Sequence, residues 1–301
     1  MAVEHQSPGW RSLPGRCLDL LGAWQPFTGR GLAAFAGVSW WHLLMFQTLF
    51  AGFVVAGFVW SLRQVIFPVV HTALAALPDG PASIQNGFFD WPGSGADLLA
   101  ASPRFALVAD PDATGVLGLN GDLQLELSRT QAVFRGVLGT LHLPYPASLE
   151  LPLDRGTAPA VWGAWRTPGL ALIAIGGFLA LMSSWWVVAL LHALPAWILG
   201  WLLRRELSLG GAIRIAAAAL LPAALIPTAG ILLYATLWLR APGFAAVWIL
   251  HWPAGWVWLA WGVVHRPAAN RARSDTAANP FTNGPATPAR GGTRRKNPFA
   301  R

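Results

Sequence analysis

Two short groups of residues carry side chains capable of chemistry. Asp110-Pro111-Asp112-Ala113-Thr114 follows the apolar run Phe105-Ala106-Leu107-Val108-Ala109. Aspartates two residues apart at the end of a strand can divide phosphoryl transfer between them, the first attacking as nucleophile and the second moving the proton. The same residues also form turns, because Asp bonds its own backbone, Pro fixes φ, and Gly115 comes next. No lysine lies between His71 and Arg166 to neutralise a phosphoryl intermediate. A turn closing a strand is therefore the expectation, with Asp110, Asp112 and Thr114 as its polar members. The second group is His192, with Ser183 and Ser184 about two helical turns before it. An ionisable side chain inside a bilayer is costly and requires a partner. A polar contact between helices is the expected role of these three, and a proton relay is the alternative. His42, His251 and Arg214 fall near the ends of apolar runs, and no acidic residue lies within any run, which disfavours proton- or cation-coupled transport.

The apolar runs must position these groups. The chain is 54% hydrophobic and only 11% charged, against about 25% charged residues in soluble domains. Its apolar residues form long runs rather than stripes of period 2 or 3.6, which makes the lipid bilayer the expected surroundings. Trp40 to Leu62 suffices for one span and reads as an uncleaved anchor, although Ala73-Leu74-Ala75 loosely resembles a cleavage site. Pro168 to Leu203 would be about 54 Å long as one helix, so it must overhang, tilt or break, with Pro195 as the kink. Gly211 to Leu239 carries Pro222 and Pro227, and Gly243 to Val264 carries Pro253. Such prolines are tolerated where neighbouring helices satisfy the freed carbonyls, so the spans should pack as a bundle. Gly52 with Ala56, and Gly176-Gly177 with Ala180, offer small residues for close helix approach. Trp248, Trp252 and Trp256 share one helical face and read as a packing stripe rather than a ligand-stacking wall.

Arginines set the orientation, since cytoplasmic segments carry the basic excess. Arg11, Arg16 and Arg30 precede the first run, Arg204, Arg205 and Arg214 flank a middle connection, and a basic tail follows the last run. Four spans put all three groups on one side, whereas splitting 168–203 into a hairpin would separate them.

Between His71 and Arg166 nine acidic residues face five arginines and turn residues become frequent, the composition of a folded, water-soluble insert. Asn86-Gly87 and Asn120-Gly121 read as tight hairpin turns. Phe105–Ala109 reads as a buried strand, Gly121–Leu127 alternates apolar and polar residues, and Val137–Leu143 continues a similar pattern. A small, mostly antiparallel sheet with one modest core is expected. The one cysteine, Cys17, excludes an intramolecular disulfide framework and any multi-cysteine metal site, and no cofactor is expected.

Four places together resemble an uncharacterised family of bacterial multi-pass membrane proteins that includes maltodextrin-utilisation membrane proteins and is distantly similar to the Yip-type membrane proteins. They are Leu18-Asp19-Leu20-Leu21 through Gly29-Arg30-Gly31, Leu77-Pro78-Asp79 with Ile84-Gln85-Asn86-Gly87, Val108-Ala109-Asp110 through Thr114-Gly115, and Leu207-Ser208 through Ile213-Arg214-Ile215 to Pro222. The resemblance implies topology and supplies no catalytic residues. The strand ending in Asp110 also resembles the phosphatase signature of the haloacid dehalogenase superfamily, which implies a nucleophilic Asp110 and an acid/base Asp112. The insert is too small for the parallel sheet such enzymes need.

The expected architecture is an α-helical membrane bundle of about four spans, with a small, mostly β extracytoplasmic domain inserted between spans 1 and 2. Residues 1–38 are assigned to a cytoplasmic N-terminal arm, 39–68 to the first transmembrane helix and 69–166 to the external domain. Residues 167–265 are assigned to three further spans and 266–301 to a disordered basic cytoplasmic tail. The expected location is a bacterial inner membrane with both termini cytoplasmic. The expected role is a non-enzymatic accessory, scaffold or sensor, with a permease-like component or a membrane-tethered phosphatase as alternatives. Expected partners are the lipid bilayer, a protein contacted through the external domain, and anionic lipid drawn to the tail at about 1 kcal/mol per basic residue. Nucleic acid is not expected, and the repeated Asn279-Pro280-Phe281 and Asn297-Pro298-Phe299 are not read as adaptor ligands.

Overall fold

A computed structural model of the chain describes residues 26–137 and 139–269. The basic tail beyond 269, Cys17, and the motif Leu18–Leu21 lie outside the described residues. The described residues form five helices: α1 (Gly29–Phe35), α2 (Trp40–Ala76), α3 (Ala158–Leu202), α4 (Leu209–Ala235) and α5 (Ala241–Val264). All but α1 are long and apolar enough to cross a membrane. A β lobe lies between α2 and α3, as the composition shift suggests.

Caps explain where several helices begin. Ser39 precedes α2 and its hydroxyl accepts from the His42 N–H, and Ser208 precedes α4 and accepts from the Gly211 N–H. Each satisfies an orphan donor of the first turn. Before α3, the Asp154 carboxylate accepts from the N–H groups of Gly156 and Thr157, both at 2.9 Å.

Two boundaries differ from the sequence expectation. Helix α2 runs to Ala76 rather than 68, and α3 begins at Ala158 rather than 167 and continues unbroken through Pro168 and Pro195 to Leu202. Residues 168–202 are thus one helix and not a hairpin. At 1.5 Å per residue, α2 is about 55 Å long and α3 about 67 Å, well beyond the roughly 30 Å of a hydrocarbon layer. Their surplus enters the lobe, where Val69, Ala73, Leu77 and Ala158 pack with Ile84, Phe89, Leu99 and Phe105 in one buried core. The helices outlast the apolar runs because the core of the lobe packs around their ends.

Helix α4 is central, packing against α1, α2, α3 and α5. Its Ala216–Ala219 run is buried, and these small side chains let the neighbouring helices come close. Close approach also occurs at Gly230 and Gly262, where an added Cβ would meet Val247 at 2.8 Å and Leu32 at 3.0 Å. At Gly52, Gly176 and Gly177 it would meet nothing within 4 Å, so these glycines do not serve the close packing expected of them. Helix α1, within the segment read as a plain arm, is docked: Leu32 and Phe35 are fully buried in the bundle core.

The lobe contains a three-stranded sheet, in the order β2 (Phe88–Asp90), β1 (Ser83–Gln85), β8 (Leu151–Pro152). A five-stranded sheet follows the order β3 (Asp97–Ala101), β4 (Phe105–Ala109), β5 (Leu123–Leu127), β6 (Gln131–Gly136), β7 (Gly139–Pro144). Asn86-Gly87 makes the expected hairpin between β1 and β2, with φ of 53° and 81°. Asn120-Gly121 does not. Strands β4 and β5 pair in parallel, and residues 110–122 form the crossover that a parallel pair requires. The larger sheet is therefore mixed.

Candidate functional site

The crossover begins at Asp110. Its carboxylate accepts from Thr114 N at 3.0 Å, Gly115 N at 2.9 Å and the Thr114 hydroxyl at 3.1 Å, and its own N–H donates to Leu127 O. Burial disfavours ionisation, but these bonds, with the field of Arg135, hold the carboxyl below its ordinary value. Both oxygens are occupied by the turn, and the side chain is buried. Asp112 is exposed and lies outside the cleft that Asp110 helps to line. The geometry brings Asp110 and Thr114 together as a turn and leaves Asp112 apart.

The crossover ends on the sheet. Buried Gln124 accepts at Oε1 from the Asn120 backbone N–H at 3.0 Å and from Asn120 Nδ2 at 3.2 Å. Next along the same face, buried Glu126 receives Arg135 in a two-pronged pair, Nε to Oε2 at 2.7 Å and Nη2 to Oε1 at 3.2 Å. Asp110, Gln124, Glu126 and Arg135 line a cleft of about 120 Å³ between crossover and sheet. Among the described residues, no group of three or more histidine, cysteine or acidic side chains could hold a metal ion. Gln124, Glu126 and Arg135 went unremarked in the sequence because alternation alone reads polar residues as facing water.

A second, larger cleft lies in the bundle. It measures about 1400 Å³, with α2, α3, α4 and α5 as walls. Its roof is the other face of the five-stranded sheet, through Phe105, Leu123, Phe134 and Leu141. His192 and Ser184 line it and Ser183 does not. His192 Nδ1 donates to Val188 O at 2.7 Å, and its ring packs 4.3 Å from that of Trp256. The hydrogen bond of His192 stays inside α3, and its ring packs across to α5. Ser184 donates to Leu181 O at 2.8 Å. Of the three aligned tryptophans, Trp248 and Trp252 face the cleft and Trp256 packs against His192 with the rings tilted by 51°.

Lobe and bundle are joined at Arg104. Its Nε donates to Tyr234 O at 3.1 Å, Nη1 to Asp122 Oδ2 at 2.8 Å and Nη2 to Leu239 O, while its guanidinium lies 4.1 Å from the Tyr234 ring centroid. The Tyr234 hydroxyl donates to the same Asp122 oxygen at 2.9 Å. At the opposite end of the bundle, Arg214 Nη1 donates to Val38 O, Arg205 Nη1 to Arg266 O and Arg266 Nη1 to Ala33 O. Arg205, Arg214 and Arg266 therefore sit at the end of the bundle away from the β lobe.

Four long apolar helices with a small β region between the first and second define the class of fold. No family model, curated protein or solved structure matches the chain.

Proposed function

We propose that the chain is a four-span integral membrane protein of non-enzymatic kind, an accessory, scaffold or sensor. Its β lobe stands outside a bacterial inner membrane and both termini lie in the cytoplasm. The observation that carries this reading is the cluster of arginines at one end of the bundle. Arg204, Arg205, Arg214 and Arg266 belong to the end away from the lobe, where the basic excess of cytoplasmic segments belongs. The saturated carboxylate of Asp110 supports this role over a phosphatase. The apolar cleft supports it over a pathway for polar solutes, since such a pathway needs groups that can replace hydration. The lobe offers a protein partner its edge strand β7, exposed along its whole length, with backbone groups unpaired on one side.

Reporter fusions test the topology. Residue 120 is expected outside and residues 207 and 285 inside, and an external signal at 285 overturns the four-span arrangement. Purified protein is expected to release no phosphate from a generic aryl phosphate. Release that disappears on Asp110→Asn would restore the phosphatase.

A further inference from the structure

We infer that the large cleft is a binding site for a zwitterionic phospholipid from the leaflet nearest the lobe, its acyl chains between the helices and its head beside Asp122. The inference rests on the membrane reading above.

Five polar side chains on the helical walls of the cleft bond carbonyls of their own helices. Ser61 donates to Phe58 O at 2.7 Å, Ser184 to Leu181 O at 2.8 Å and Thr228 to Ala224 O at 2.7 Å. His192 and His251 likewise bond the carbonyls of Val188 and Trp248. Walls of this kind offer water, ions or sugars little to replace their hydration, whereas hydrocarbon asks for none. The volume, about 1400 Å³, exceeds the roughly 300–1,000 Å³ of drug-sized sites. From Gly177 to His192 the α3 wall is about 22 Å long, more than the ~15 Å that half of a bilayer's hydrocarbon supplies.

The sheet extends this surface upward. By strand register, Phe105, Leu123, Phe134 and Leu141 share one face, and Leu123 and Leu141 on it remain exposed. Such residues facing open water would be unfavourable, but above a lipid they continue its apolar surroundings. The contact of His192 with Trp256 lies at the far end of the α3 wall from the lobe, so the cleft runs from that contact toward the sheet.

Charge selects the head group. Arg104 is committed to Asp122, Tyr234 and Leu239, and it and Asp122 cancel as the paired ions of the lining. Asp122 Oδ2 takes both bonds, from Arg104 and Tyr234, leaving Oδ1 to accept from an ammonium group. The pair is neutral overall, which suits a head group carrying both signs better than a net anion.

The test uses the full chain in vesicles of phosphatidylethanolamine and phosphatidylglycerol, with trace phosphatidylethanolamine carrying a diazirine in one acyl chain. Photolysis is expected to label Leu181, Val188 and Ile249, which line the cleft, over Leu172 and Leu190, which are exposed elsewhere on α3. After detergent extraction, phosphatidylethanolamine is expected to be retained in stoichiometric amount. Filling the cleft with Gly177→Leu, where an added Cβ meets nothing within 4 Å, or with Ala245→Phe, is expected to weaken retention about tenfold, or ~1.4 kcal/mol. Even labelling of both sets, unchanged retention in both variants, or retention of phosphatidylglycerol alone would overturn the inference. Those results leave the membrane reading standing, whereas release of the chain by alkaline carbonate would overturn both.

Discussion

Arg135 reaches diagonally across the antiparallel pairing of β5 and β6 to Glu126, although the residue directly opposite it is Gln124. The Glu126 side chain is 2% exposed and Arg135 35%, so the acid depends on the arginine far more than the reverse. Arg135→Met should leave a buried carboxylate without its partner, at a cost of about 3 kcal/mol. Adding Glu126→Leu should recover most of that loss, because the penalty belongs to the orphaned charge. Unfolding of the three proteins in detergent, followed by limited proteolysis of the lobe, measures both effects. Equal stability of Arg135→Met and the parent would show that the pair contributes nothing.

Asp110 gives the lobe an acid limit. Its carboxyl is held low by the Thr114 and Gly115 bonds against the opposing effect of burial. A depressed folded pKa contributes stability that is fully present above the unfolded value, near 3.9, and is lost as pH falls through the folded value. Lobe stability should therefore be flat in this contribution from neutrality to about pH 5 and decline below roughly pH 4. Asp110→Asn, which keeps the shape and removes the titration, should be less stable at neutral pH by about 1–2 kcal/mol. It should also lose part of the acid-side slope. The same slope in variant and parent would remove Asp110 from the account.

Alternation along β5 is legible in the sequence, but which face meets water is not. The crossover 110–122 covers Gln124 and Glu126, so the polar face is the buried one, and Leu123 on the apolar face keeps partial exposure beside the cleft. Asn86-Gly87 and Asn120-Gly121 are the same dipeptide with different outcomes. The first joins paired neighbours, whereas Asn120 is tied by its backbone and amide to Gln124 two residues into the next strand. The long helices stand out as apolar runs, yet their ends do not, because the last turns of α2 are buried in the lobe core through Val69 and Ala73. The large cleft draws its lining from four helices and a sheet, a conjunction that only the fold creates.

Arg104 fixes the lobe to the connection between α4 and α5, with bonds to Tyr234 O, Leu239 O and Asp122. Arg104→Lys keeps the charge but cannot serve three acceptors in fixed directions, nor cover the Tyr234 ring as a planar group does. Faster amide exchange is expected in residues 236–240 and in β4, with the basic end of the bundle unchanged. Exchange that stays the same in 236–240 would show that helix packing alone holds the lobe in place.

Gly262 sets how closely α5 can approach α4 and α1. A Cβ built there would come 3.0 Å from Leu32 Cβ and 3.1 Å from Ile215 Cγ2. Both neighbours are fully buried, on α1 and α4, so neither can swing away without opening the core it fills. Gly262→Val should cost about 2–3 kcal/mol by overpacking, and the shorter α1 should yield first because it has the smaller buried surface. That order makes cleavage by trypsin after Arg30 the sensitive readout, appearing before global unfolding. Gly52→Ala is the matched control: an added Cβ there meets nothing within 4 Å, so helix propensity should stabilise it by a few tenths to about 1 kcal/mol. If Gly262→Val melts with the parent while Arg30 stays protected, the contact between α1, α4 and α5 is looser than its distances imply.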